Sequence, residues 1–350
     1  MANDFLSWME VEHDFANVTL TVRAQALPPL DTDRLLYPIF FPEAPAPSVK
    51  LSNLLSTDFR PAADRREWNQ RGRLIPIQTP RAQNLEMIPV ESYFKVAEYE
   101  IQNLVETTGA DEAAIKRLMG VSIPARVDAL VNANRRRIEF DCFEAWAFGT
   151  ITALDPQTAA TTTVSYGFDV TRYTNVDWVT GPYAKFIAWV EAGADRLGAP
   201  PRGAITTRNI YEAIRTNAPQ GLQALKLTRS QFEDQVTNDL GFDFTFYIAE
   251  HQLDKPTTGG VMGFTRTRVW PAERIALVPA GVSIGTTRLA PIARAYQIAA
   301  LHPDAEVDVR GMSVFKEIAG NGREATFECQ INAFPVPDEN NIWVNDTNIV

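Results

Sequence analysis

The pentapeptide Gly281-Val-Ser283-Ile-Gly285 has the residue types of a nucleophile elbow, and it follows a predicted strand at Arg274–Val278. In such an elbow a sharp strand-to-helix turn exposes the serine hydroxyl. A histidine backed by a carboxylate then takes its proton for attack on an acyl carbon. The order serine, acid, histidine needs a later histidine, and His302 is the only one. It follows Ser283 by only 19 positions, too few for the strands and helices that would bring the two together. A hydrolase using Ser283 is therefore the remote alternative, and a glycine-rich turn after a strand the plainer one. Ser313-Val-Phe-Lys316 matches the Ser-x-x-Lys pattern. Alternation there predicts a strand, whereas that chemistry needs a helix.

Other chemistry is missing from the pattern. His13, His251 and His302 are scattered, and no His-x-x-x-His or Cys-x-x-Cys spacing occurs, so no metal set is read. Neither common phosphate-cradling glycine loop is present. Cys142 and Cys329 are the only cysteines, too few for a disulfide framework, and read as two buried free thiols in a reducing cytoplasm. Arg135, Arg136 and Arg137 lie on a predicted helix, where three consecutive residues point three ways. They cannot form one phosphate patch and are expected to bridge to Glu139, Asp141 or acidic groups of another chain. The chain is read as no enzyme, with no cofactor and no metal.

The charge balance agrees. Lys plus Arg is 33 and Asp plus Glu 43, a formal net charge of −10, which argues against a gripping, sequence-specific reader of DNA. No apolar run approaches the ~18 residues that span a bilayer, and the first residues lack the pattern of a signal peptide. No membrane partner is expected.

The element that organises the chain is a strut. Ser122 and Pro124 suit a helix start, and no Gly or Pro interrupts Ala125–Phe148. Val127, Leu130, Val131, Asn134, Ile138, Cys142 and Ala145 recur at helical spacing, and Gly149 is a natural left-handed stop. This predicts a helix over about 123–148, with a separate one at Asp111–Met119 ended by Gly120 and another over 92–107. Residues 14–47 read as an extended arm, strand-like at Val18–Val22 and then rich in proline. Phe40 and Phe41 sit on this arm and must be covered, by the same chain or another copy. Residues 48–91 read as a hairpin with apolar limbs and a charged tip holding Arg65, Arg66, Trp68, Arg71 and Arg73. Thr150–Leu154 and Thr161–Tyr166 read as a second hairpin. From Trp178, helices at Pro182–Leu197, Thr207–Thr216 and from the Thr228 capping box to Gly241 alternate with strands at Phe242–Ile248 and Arg274–Val278. The end returns to strands at Ala305–Ile318, Ala325–Phe334 and Ile342–Val344, with a turn at Pro335–Asn340. The class is α+β. Arm, hairpin and strut are each too long or too apolar for one globule, as expected of a subunit completed only by assembly.

The order of Leu20-Thr21, Leu27-Pro28, Leu35, Phe40-Phe41, Arg71-Gly72 before Leu74-Ile-Pro-Ile77, the aromatic helix ending at Gly149, Leu154-Asp155 with Tyr166-Gly-Phe168, and Ala325–Phe334 with Ile342-Trp-Val resembles the major capsid protein E family of tailed bacteriophages. That is the lambda-like branch of the Hong Kong 97 type of fold. Asp155-Pro-Gln departs from the Asp-x-Gly turn of that pattern. The resemblance implies an N-arm at 1–47 and an extended loop at 48–91. It implies a peripheral domain at 92–177 and 305–350 with the strut as spine, and an axial domain at 178–304. It further implies pentamers and hexamers closing an icosahedral shell around double-stranded DNA, touched only weakly, in a virion assembled in the bacterial cytoplasm. Partners would be a separate scaffolding protein, a portal and a possible decoration protein. Phe40, Phe41 and the tip residues Arg65, Arg66, Trp68, Arg71 and Arg73 would lie between subunits, the arginines against acidic groups. A nanocompartment shell protein, encapsulin-like, is the alternative on the same fold.

Overall fold

The computed structural model describes residues 16–29, 35–48, 50–55, 81–109, 111–154, 161–167, 170, 177–219, 228–250, 252–256, 264–318 and 324–348. In chain order the first elements are α1 (Asn17–Ala26), α2 (Tyr37–Phe40), β1 (Glu43–Pro45), β2 (Lys50–Leu55), β3 (Arg81–Glu86) and β4 (Val90–Ala97). Next come α3 (Glu98–Thr108), α4 (Glu112–Phe148), β5 (Thr150–Leu154), β6 (Thr161–Ser165) and α5 (Pro182–Leu197). They are followed by β7 (Gly203–Thr206), α6 (Arg208–Thr216), α7 (Arg229–Leu240), β8 (Thr245–Ile248), β9 (Gln252–Pro256) and β10 (Phe264–Arg268). The last are β11 (Arg274–Val278), β12 (Gly285–Ala290), α8 (Ala293–Leu301), β13 (Ser313–Ile318), β14 (Glu324–Pro337) and β15 (Val344–Asp346).

The spine is longer than its sequence pattern predicts. α4 is one helix of 37 residues, about 55 Å at 1.5 Å per residue. Its N-cap is Asp111, whose carboxylate accepts from the Ala113 N–H, so Ser122 opens nothing. Gly120 and Pro124 both lie inside it. Tertiary packing overrides their local cost, because Ile115, Met119, Ile123 and Val127 continue one buried stripe through both positions. Gly149 closes the helix at φ 67°, its N–H bonding the Ala145 carbonyl.

α4 packs against a five-stranded sheet built around the 14-residue β14. The first half of β14 pairs with β4 and β13, and the second half with β12, which carries the short parallel β1 on its far side. Ser92, Phe94 and Val96 of β4 face the spine, with Phe94 stacked on Phe327 at 5.0 Å. Glu91, Tyr93 and Lys95 face away. The helix expected over 92–107 is therefore a strand followed by α3. Its alternation is strict, but its apolar partners lie over 200 positions away. The turn expected at Pro335 is also displaced: β14 runs through Pro337, and Asp338 caps a single 3₁₀ turn at Glu339–Asn341.

A second sheet has the order β15-β11-β7-β8 and carries α5, α6 and α7. β11 reads Arg-Ile-Ala-Leu-Val and is apolar on both faces because both are covered. Ile275 and Leu277 enter a core of Trp178, Phe186, Trp189, Phe232, Phe246 and Trp343. Ala276 and Val278, with Ile205, enter the core of the spine half instead. The sheet is a party wall between two cores. The division expected from sequence moves accordingly. β12 and α8, placed at 178–304 by that division, belong with the spine sheet, whereas β15 at the C-terminal end joins the wall.

The strand-like stretch of the arm at Val18–Val22 is helical. α1 is a ten-residue helix, and its alternating Val18, Thr19 and Leu20 are read as a strand only when its tertiary partners are ignored. β2 and β3 pair in register from Lys50↔Glu86 to Leu55↔Arg81, and β5 pairs with β6. Among the described residues no helix is long and apolar enough to cross a membrane.

Candidate functional site

The spine meets the arm and the wall at a joint lined by aromatic rings. Phe40 and Phe41 are 1% and 0% exposed and are covered by their own chain. Phe40 lies 5.2 Å from Trp146 and 5.6 Å from Tyr247, and Phe41 lies 6.4 Å from Trp146. Trp146 in turn meets Trp270 at 5.2 Å. The expectation that a second copy buries Phe40 and Phe41 is corrected: the four-residue α2, with Pro38 in its first turn, folds them inward. A cluster of five rings supplies the apolar cover that the arm lacks.

Three polar groups fix this joint. Glu139, fully buried on α4, accepts from the Leu36 N–H at 2.9 Å and the Tyr37 N–H at 2.7 Å. It thus caps α2 from another helix, placing negative charge where free N–H groups point. Arg202 lies over both Phe40 and Tyr247, at 5.9 and 5.8 Å from the ring centroids. Arg274 donates to the Ala147 carbonyl and covers Phe148 at 4.3 Å, so a cation sits at the negative end of the spine helix. Because Arg274 opens β11, the helix end is tied directly to the wall. None of these three residues was singled out in the sequence as part of a site. The capping role of Glu139 has no local signal, since α2 lies about a hundred positions earlier.

The arginines of the spine are engaged within the chain. Arg135 donates to the Leu27 carbonyl, and Arg137 donates to that of Thr152 while pairing with Asp141 at 2.8 Å. They point apart, as helical geometry requires, and are not left over for neighbours. The two thiols are buried. Burial holds the Cys142 thiol well above its ordinary value against a contact with the Thr287 hydroxyl, and burial pushes that of Cys329 up to about 12. Burial also raises the Tyr37 and Tyr166 hydroxyls, which bond to Glu43 and to the Pro335 carbonyl.

Ser283 does not form an elbow. The Ile284 N–H bonds the Phe40 carbonyl at 3.0 Å, and the strand β12, not a helix, follows. The Ser283 carbonyl accepts from the Asn341 amide at 2.9 Å. His302 ends α8 and is exposed. The motif serves as the turn that clamps the arm. Among the described residues no group of three or more His, Cys, Asp or Glu could hold a metal ion.

Outward surfaces carry large apolar side chains on the spine half. Tyr93 of β4 and Tyr99 of α3 are 62% and 71% exposed, and Val121 of α4 is 71% exposed. Tyr93 sits beside Lys95, which pairs with Glu324 at 3.2 Å. The period-two pattern around Tyr93 was the signal for this face. The tip residues Arg65, Arg66, Trp68, Arg71 and Arg73 lie outside the described residues, as do His13 and His251.

No protein-family profile matches the chain, and no curated protein does. Solved structures do. The proposed capsid protein of a prophage of E. coli CFT073 superposes with a TM-score of 0.51 at 12% identity, covering 99% of this chain and 98% of that one. A phage-related protein from Bordetella bronchiseptica RB50 gives 0.49 at 14% identity, covering 95% and 97%. The capsid asymmetric unit of cyanophage A-1(L) gives 0.44 at 12% identity, covering 92% and 96%. The chain and the E. coli prophage protein share one α+β fold from end to end, the Hong Kong 97 type.

Proposed function

We propose that this chain is the major capsid protein of a lambda-like tailed phage, and that its copies join as pentamers and hexamers in an icosahedral shell around double-stranded DNA. The observation that carries the reading is the fold shared over 99% of the chain with a proposed prophage capsid protein. The joint supports it. A shell subunit must hold its arm, spine and second sheet at fixed angles, and five rings and two guanidinium groups do so here. The acidic balance, −10 overall, also suits a wall that must let packed DNA slide. In this reading the virion is the destination, and a scaffolding protein, a portal and a decoration protein are the partners. Arg65, Arg66, Trp68, Arg71 and Arg73 contact a neighbouring subunit.

The test is electron microscopy of the expressed chain, alone and with its neighbouring genes. Closed shells that fill with DNA when the packaging genes are present are expected. Shells that instead enclose a protein cargo would move the reading to a nanocompartment, and a chain that forms no particle under either condition would overturn it. Within the shell, reversing Arg65, Arg66, Arg71 and Arg73 to Glu should leave a folded subunit that does not assemble. Normal particles from that variant would remove the tip from the interface.

A further inference from the structure

The outer edge of β13 is closed by side chains. Asn17 Oδ1 accepts from the Lys316 N–H at 2.7 Å. Thr21 Oγ1 accepts from the Val314 N–H at 3.0 Å and donates to the Val314 carbonyl at 3.2 Å. Gln25 Nε2 donates to the Met312 carbonyl at 3.1 Å and the Asp308 carbonyl at 2.8 Å, while its Oε1 accepts from the Asp308 N–H at 3.0 Å. Positions four apart on α1 thus meet positions two apart on the strand, running antiparallel. The match is geometric: four helical residues rise about 6 Å and two strand residues about 6.6 Å. The Thr21 hydroxyl bonds one residue's N–H and carbonyl together, as an opposite strand residue would. The Gln25 amide does the same at Asp308, as a peptide group would.

We propose that α1 is a built-in cap: Asn17, Thr21 and Gln25 stand in for a missing strand and keep the β13 edge from pairing with a second copy of this chain. An open edge carrying Val314 and Phe315 is a template for intermolecular strand pairing. α1 also seats Leu20 and Ala24 in the spine core and Val18 against Ile292, Ala295, Ile298 and Phe315. It is ten residues long, has no side-chain bond at its N-cap, and buries only Val18, Leu20, Thr21 and Ala24. A helix of that length does not persist alone, so edge and helix support each other, with Arg23 paired to Asp128 at 2.6 Å as a side anchor. The cap does not depend on the shell assignment, since the edge must be managed in the free subunit whatever the chain later builds.

The test uses the full chain with Asn17→Ala, Thr21→Val and Gln25→Ala combined. Hydrogen exchange at the Val314 and Lys316 amides should quicken by about tenfold or more. Light scattering should show concentration-dependent association into irregular or fibrillar material, distinct from closed particles by electron microscopy. Exchange along Val127–Trp146 should stay slow. Unchanged protection of the two amides, or a chain that stays monodisperse with them exposed, overturns the proposal. Three single variants decide if the triple variant does not fold. Thr21→Ser keeps the hydroxyl and should match the parent, whereas association equal to that of Thr21→Val would show that packing, not hydrogen bonding, holds the edge. In Gly311→Ala the added carbon would stand 2.9 Å from the Gln25 amide nitrogen. It should release the Asp308 and Met312 bonds, and undisturbed exchange at Asp308 would count against the cap.

Discussion

The two halves of the molecule each close on an apolar core but are built from opposite kinds of contact. The helical half takes most of its core from residues 178–248, so Phe186 finds Phe246 at 5.4 Å and Tyr211 finds Phe232 at 5.5 Å across short stretches of chain. The spine half closes over long ones: Tyr93 pairs with Glu328, and Thr21 bonds Val314 across 293 positions. Long closures cost more chain entropy before any contact repays it. The spine half therefore leans on elements of unusual length, a 37-residue helix and a 14-residue strand, whereas the helical half leans on caps and ring pairs. The wall sheet, with one face in each core, is what joins the two.

The sharpest way to break that comparison is Trp146→Ala. The ring meets Phe40, Phe41, Phe143 and Trp270, and its loss should cost about 3–5 kcal/mol. Because the wall serves both cores, denaturant unfolding followed by near-ultraviolet dichroism and by helix content should shift as one transition. Two separated transitions would show the halves to be independent. Glu139→Gln is the next step down. It removes a charge-assisted contact to the Leu36 and Tyr37 N–H groups, worth about 1.5–3 kcal/mol, and should loosen α2 without touching the helical half, read as faster exchange at those two amides. The smallest change is Thr228→Ala, which dismantles a complete capping box at a cost of about 1 kcal/mol. Its effect should stay within α7, and faster exchange spreading to α4 would contradict the division drawn here.

What could be read from sequence follows the same line. Pro182–Leu197, Arg274–Val278, the Thr228 box and the Gly149 stop stand where their local signals place them. Each depends on residues within a few positions of itself. α1, β4 and the first turns of α4 were misread because their partners are remote. Asn17, Thr21 and Gln25 look like neutral polar residues until β13 is beside them, and Pro124 looks like a helix start until the buried stripe on either side is seen. The joint was half legible: Phe40 and Phe41 visibly needed cover, but nothing local identified Trp146, Trp270, Glu139 and Arg202 as the cover. The charged tip was legible only as composition.

β14 follows in the chain every strand that it pairs with, and β15 follows the rest of the wall. During synthesis, then, β4, β12 and β13 must all wait for residues made after them, and the wall stays one strand short until later still. A growing chain cannot present the finished outer faces of either half. The order of the sequence works as a timer: neither sheet has its full set of strands until β14 and β15 have been made.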